Sequence, residues 1–253
     1  MFTHLHARSW FSFRAGGSPP EALVAEAARL GMASMAITDR HGVYGVVRFQ
    51  QACKEYGLRH VFGAEVPIYS SDTMAAGANP APGNGAVGGH RSALGTAILD
   101  PDPGPSQSLV LIAQNREGYA NLCQILTLAH MEGASRDMRD HPASSLESLA
   151  AHSDNLFCLT GTDEGKLFQL LDSGHVQEAG QWVGTLQDIF GDRLFIEATH
   201  QRRKGDNRRL GQIIKLSKDT HVPLVATGDV RFATPSHYWR YALLTCIRNG
   251  ITV

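Results

Sequence analysis

Apolar runs and helical stripes alternate along the first 68 residues. Ser34-Met35-Ala36-Ile37-Thr38 and the stretch 60–66 are short and apolar enough for strands, whereas Leu23, Ala27 and Leu30 recur on one face of a helix over 21–30. Ser18 stands as a candidate N-cap before Pro19, Pro20 and Glu21, and Gly31 is placed to end that helix. A second helix is expected over 44–56, closed by Gly57. Phe2-Thr3-His4-Leu5-His6 reads as a first strand, so the pattern opens as successive βα units.

The same rhythm returns after residue 108. Leu109-Val110-Leu111-Ile112-Ala113 is a buried-strand run, and Leu122, Ile125, Leu126 and Ala129 line one face of a helix over 119–130. A short helix follows at 146–152, then strands at 156–159, 194–197 and 223–229, with helices over 166–171, 176–190 and 207–219. The count is about seven βα pairs, which predicts an α/β fold of barrel type. Residues 70–108 break the pattern. They are rich in Ala, Gly, Pro and Ser, and read as an irregular or disordered insertion in which His90 is a solvated loop residue.

Composition narrows the function classes. A formal net charge of −1 gives no global basic field for nucleic acid, so any such contact is local. Four cysteines without CxxC spacing indicate neither a disulfide framework nor a structural zinc site. No leader and no apolar run near the ~20 residues of a membrane span is present, which predicts cytoplasmic residence without a membrane partner.

The candidate chemistry lies at strand ends, where parallel α/β folds gather their active groups. His4 and His6, spaced i, i+2, would share one face of a strand and could seed a site for Zn, Mn or Fe. Asp39, His41 and Glu65 fall at or near the ends of the next two strands, and Asp229 ends the strand at 223–229. Arg202, Arg203 and Lys204, with Arg208 and Arg209 nearby, form a basic cluster. It reads as a solvated helix start or, as the sharper alternative, a nucleic-acid contact. No nucleophile elbow for a Ser or Cys hydrolase is present.

Taken in order, His4-Leu5-His6, Phe11-Ser12-Phe13, Ala36-Ile37-Thr38-Asp39, Gly63-Ala64-Glu65, Asn115-Arg116-Glu117-Gly118-Tyr119, Phe190-Gly191-Asp192-Arg193-Leu194 and Val225-Ala226-Thr227-Gly228-Asp229 resemble the PHP (polymerase and histidinol phosphatase) domain of bacterial DNA polymerase III alpha subunits. The tip Thr38-Asp39-Arg40 and the ending Leu244-Thr245-Cys246-Ile247-Arg248 lean toward the error-prone branch. The resemblance implies a distorted seven-stranded (β/α) barrel over 1–235, interrupted at 70–108, with 236–253 starting the connection to a polymerase domain. It implies that DNA, and other replication or repair proteins, are met through a longer parent polymerase. Competent members hold up to three metal ions for phosphoester hydrolysis, as a phosphatase or a 3′–5′ exonuclease.

Matched residue by residue, His4, His6, Glu65 and Asp229 fit that family's ligand pattern. Ala15, Arg40, Ser108, Thr162 and Arg231 depart from it, and His41 falls one residue late. The expectation is therefore a degenerate site, catalytically silent, with one divalent metal at most. Arg40 and Arg231 are expected to replace lost metal charge by pairing with Glu65, Asp229 or Asp39. The rival expectation is a free-standing metal-dependent phosphoesterase or exonuclease using His4, His6, His41, Glu65 and Asp229.

Overall fold

The computed structural model describes residues 2–69, 107–135 and 142–252. In chain order the elements are α1 (Pro20–Arg29), β1 (Ser34–Arg40), α2 (Val46–Tyr56), β2 (Arg59–Ile68), β3 (Gln107–Ala113), α3 (Arg116–Ser135), α4 (Leu146–Ala151), β4 (Leu156–Leu159), α5 (Lys166–Asp172), α6 (Val176–Phe190), β5 (Leu194–Ala198), α7 (Asp206–Thr220), β6 (Leu224–Ala226) and α8 (Tyr238–Asn249). The insertion expected at 70–108 lies outside the described residues up to 106, as does His90. Gln107 and Ser108 already belong to β3.

The six strands form one curled sheet in the order β1-β2-β3-β4-β5-β6. Neighbours are parallel except at β3, which runs antiparallel to both β2 and β4. This corrects the uniform βα expectation. β2 and β3 flank residues 70–106 as antiparallel neighbours, so β3 opens at the end where β2 finishes.

The expected first strand over 2–6 is replaced by an irregular segment with a bend at Leu5 and His6 and a single bridge between Ala7 and Val230. It still closes the curl. The amides of Ala36 and Thr38 donate to the carbonyls of His4 and Ala7, and the amide of Val230 donates to His6 while Arg8 donates to Val230. The described residues thus give six strands with a seventh, non-strand segment filling the gap between β1 and the chain after β6.

Alternation along the strands separates two apolar compartments. In β3, Leu109 and Leu111 join a large cluster with Leu122, Ile125 and Phe168 beneath the helices, whereas Val110 and Ile112 point into the curl with Leu159 and Leu5. Both faces are buried, which is why this strand is apolar throughout. A third cluster packs Leu23, Val24, Phe49 and Cys53 of α1 and α2 against Met35 and Ile37. Ser18 does not cap α1. Its hydroxyl accepts from the Ala233 amide and bonds His237 Nδ1 instead, tying the N-terminal segment to the approach to α8. No helix among the described residues is long and apolar enough to cross a membrane.

Candidate site: a buried cluster of carboxylates and arginines

The same alternation carries polar groups into the curl. In β2, Ala64, Val66 and Ile68 face the helices, which leaves Glu65 on the inner face opposite Val110. In β5, Leu194 and Ile196 face the helices and Glu197 points inward. Asp229 follows β6 at a backbone φ of 44°, and Glu164 sits in the turn after β4. Glu65, Glu197 and Asp229 are almost wholly buried, as are His6 and Arg8.

His6 and Arg8 are the i, i+2 pair that enters the cluster. His6 Nδ1 lies 2.8 Å from Glu197 Oε1, and its Nε2 lies 3.8 Å from both Glu65 and Asp229. Burial alone would lower the His6 pKa. The charge and hydrogen bond of Glu197, with help from Glu65 and Asp229, overcome that and raise it to about 10. Arg8 Nε lies 2.5 Å from Glu65 Oε2, and its Nη2 lies 3.6 Å from Glu164 and 3.7 Å from Asp229. Desolvation of Glu65 and Asp229 opposes their ionisation, but the Arg8 guanidinium and His6 outweigh it, so both carboxyls titrate below the ordinary range.

The other residues singled out from the sequence fall as follows. His4 stands apart from the acids. Its ring lies over Gly228, where an added Cβ would come within 2.7 Å of Cε1, and burial lowers its pKa. His41 adopts a positive φ of 65°, donates from Nδ1 to the Pro142 carbonyl at 3.1 Å, and accepts on its own carbonyl from His130 Nε2. Burial, with the charge of Arg40, pushes its pKa down to about 3. Asp39 is taken up by Ser9 and Ser12, whose hydroxyls and the Ser9 amide donate to it at 2.7–3.0 Å.

Arg231 pairs with Asp229 at 2.8 Å, and its Nη1 donates to the Tyr241 hydroxyl of α8. Arg40 reaches Glu164 at 3.4 Å, and its charge is among those that hold the Glu65 carboxyl low. Of the remaining matched positions, Thr162 donates to Asp229 at 3.1 Å and Ser108 is buried at the start of β3. The basic cluster is exposed at Arg202, Arg203 and Lys204. There Arg203 pairs with Asp163, while the Asp206 carboxylate accepts from the Gln201 and Arg203 amides and fixes the loop.

Arg8, Glu164, Glu197 and Arg248 were not singled out from sequence. Arg8 had one local signal, its i, i+2 spacing from His6, and Glu197 had another, its place at the end of a predicted strand.

A divalent metal would have to draw on the acids and the imidazole of this cluster. His6, Glu65, Glu197 and Asp229 converge, but the Arg8 guanidinium lies among their oxygens at ion-pair distance, where a metal would have to sit. Among the described residues no three His, Cys, Asp or Glu side chains are arranged to hold a metal ion. The residues present do not fit one; what they can do is fix charge.

A PHP domain model matches residues 4–201. Error-prone DNA polymerase of Nocardia farcinica is 34% identical over 98% of this chain and 23% of its own length, and that of Anaeromyxobacter dehalogenans is 33% identical over 100% and 19%. The chain thus spans about a fifth of the length of these relatives. Among solved structures, a protein described as a metal-dependent phosphoesterase from Bifidobacterium adolescentis superposes with a TM-score of 0.55 at 13% identity, covering 92% of this chain and 89% of that one. An amidohydrolase from Chromobacterium violaceum gives 0.52 at 12%, covering 91% and 87%. At those identities the likeness speaks for the fold alone. The sequence match over most of the chain, together with the curled sheet and its inward carboxylates, places this protein in the PHP-domain family.

Proposed function

We propose that this chain is the PHP portion of an error-prone-type DNA polymerase, and that arginine replaces metal at its centre, so that the site is structural instead of hydrolytic. The observation that carries this reading is the placement of Arg8, buried beside Glu65, Asp229 and Glu164. A hydrolytic centre of this family needs cations with open coordination positions for water and phosphate, and a guanidinium offers none. Polymerisation, and contact with DNA or with other replication and repair proteins, belong in this proposal to a longer parent chain acting in the cytoplasm. The proposed division into 1–235 and 236–253 carries one qualification from geometry: α8, in the second part, sends Tyr241 and Arg248 onto the site.

The test is elemental mass spectrometry of protein purified without chelator, paired with phosphatase and 3′–5′ exonuclease assays in Mn²⁺. The expected result is substoichiometric metal and no hydrolysis above that of a His6→Ala control. One or more equivalents of Zn, Mn or Fe, lost on His6→Ala, would overturn the proposal. It would favour the rival phosphoesterase reading, which the convergence of His6, Glu65, Glu197 and Asp229 supports.

A further inference from the structure

The last helix has no buried face. Among the described residues, the twelve of α8 include none that is buried, and Trp239, Leu243 and Ile247 are 60%, 40% and 44% exposed. By contrast, α6 buries Ala179, Trp182, Val183, Leu186 and Phe190. Helices in folded domains draw most of their stability from such a face, so α8 is held by other means.

Those means lead back to the arginines. Arg231 Nη1 donates to the Tyr241 hydroxyl at 3.0 Å, and the guanidinium lies 5.9 Å from the centre of the Tyr241 ring. Arg231 is itself fixed by Asp229 at 2.8 Å, inside the cluster that holds His6 and Arg8. Two turns further along the same face of the helix, Arg248 Nη1 lies 3.7 Å from Glu164 Oε1, a carboxylate that Arg8, Arg40 and Arg231 also approach. The seat is shaped to the helix. The Phe232 ring lies 5.7 and 5.8 Å from those of Tyr238 and Tyr241, and a Cβ added at Gly17 would come within 2.9 Å of Tyr241 Cβ. Just before α8, His237 Nδ1 bonds the Ser18 hydroxyl at 2.8 Å.

We propose that the arginine centre is a socket and that α8 is its occupant. Arg231 and Glu164 hold the helix by Tyr241 and Arg248, and it leaves and returns as a unit while the six-stranded body stays folded. This rests on the reading of the centre as arginine-based and gives that centre a task. Polar contacts suit a detachable helix. When they break, water takes the place of the lost partner, whereas releasing a buried apolar face would expose it. Arg231, Arg248 and Glu164 are 10–18% exposed, within reach of that water.

The experiment is amide hydrogen exchange of the whole chain in EDTA, read by mass spectrometry on peptides from α8 and β3. Amides over 242–249 are expected to exchange roughly 100-fold faster than those over 109–112, and at one common rate. Tyr241→Phe keeps the ring and removes the acceptor for Arg231. It is expected to speed exchange in α8 about tenfold and leave β3 unchanged. Gly17→Ala sets a methyl group against the Tyr241 backbone and is expected to speed α8 alone, by wedging the helix off its seat.

Equal exchange of α8 and β3 overturns the proposal, because the helix then opens only when the body unfolds. So does a Tyr241→Phe chain with unaltered exchange in α8, or a Gly17→Ala chain that no longer folds. In protein shown to be free of metal, these results overturn the socket and leave the arginine-based reading standing. Protection of α8 that is absent in EDTA and restored by Mn²⁺ or Zn²⁺ overturns both, since a metal would then be what holds the helix.

Discussion

Arg8 Nε and Glu65 Oε2 stand 2.5 Å apart, and both side chains are only 1% exposed. A charge pair this deep is costly to desolvate, so its members are strongly interdependent. Arg8→Met is expected to destabilise the fold by about 3–5 kcal/mol, because it strands Glu65 beside Asp229. Arg8→Met with Glu65→Gln is expected to lose less than the sum of the single changes, as measured in a denaturant double-mutant cycle. Strict additivity would mean that the two groups do not act as a pair.

Charge at His6 gives a pH signature. Its folded pKa, about 10, lies above the ordinary 6.5. Its contribution is therefore fully present below about pH 6.5 and lost as pH rises through 10. Urea midpoints are expected to fall between pH 7 and 10, and His6→Gln is expected to flatten that decline. A slope unchanged by His6→Gln would assign the alkaline loss to another group. On the acid side, Glu65 and Asp229 titrate below their ordinary range, so their contribution persists at neutral pH and fades below about pH 4.

Imidazole at positions 8 and 231 should restore a metal centre. Arg8→His together with Arg231→His removes two fixed cations and supplies two neutral donors beside His6, Glu65 and Asp229. The double variant is expected to bind about one equivalent of Zn²⁺ or Mn²⁺ by calorimetry, at an affinity at least tenfold above that of the unsubstituted chain. Equal affinities would mean that the arginines are not what keeps the metal out.

Backbone crowding at the turn after β4 is a separate constraint. A Cβ at Gly161 would fall on the Ser108 carbonyl, at a positive φ that side chains rarely adopt. Gly161→Ala is expected to cost about 1–3 kcal/mol and to loosen Glu164, visible as faster amide exchange at Ser108. Unaltered exchange would show that the turn is held by something other than this close approach.

Much of this was legible in the residue pattern. The strands around Met35–Ile37, Leu109–Ile112, Leu156–Leu159 and Leu194–Ile196, and the helices between them, follow from local periodicity, because burial on one or two faces writes itself into the spacing of apolar residues. Glu65 and Asp229 were marked by their places near strand ends. What sequence could not supply was register across a bend and partnership across the sheet. The rule that i and i+2 share a face holds only in a regular strand. The bend at Leu5 and His6 therefore turns His4 toward Gly228 and leaves His6 and Arg8 as the pair inside. The antiparallel β3, the closure by residues 4–8 and the meeting of four arginines at Glu164 join residues up to about 240 positions apart in sequence. Local pattern chose which residues are apolar and which are charged; only the curl of the sheet decided which charges meet, because buried ions must find partners wherever the folded chain brings them.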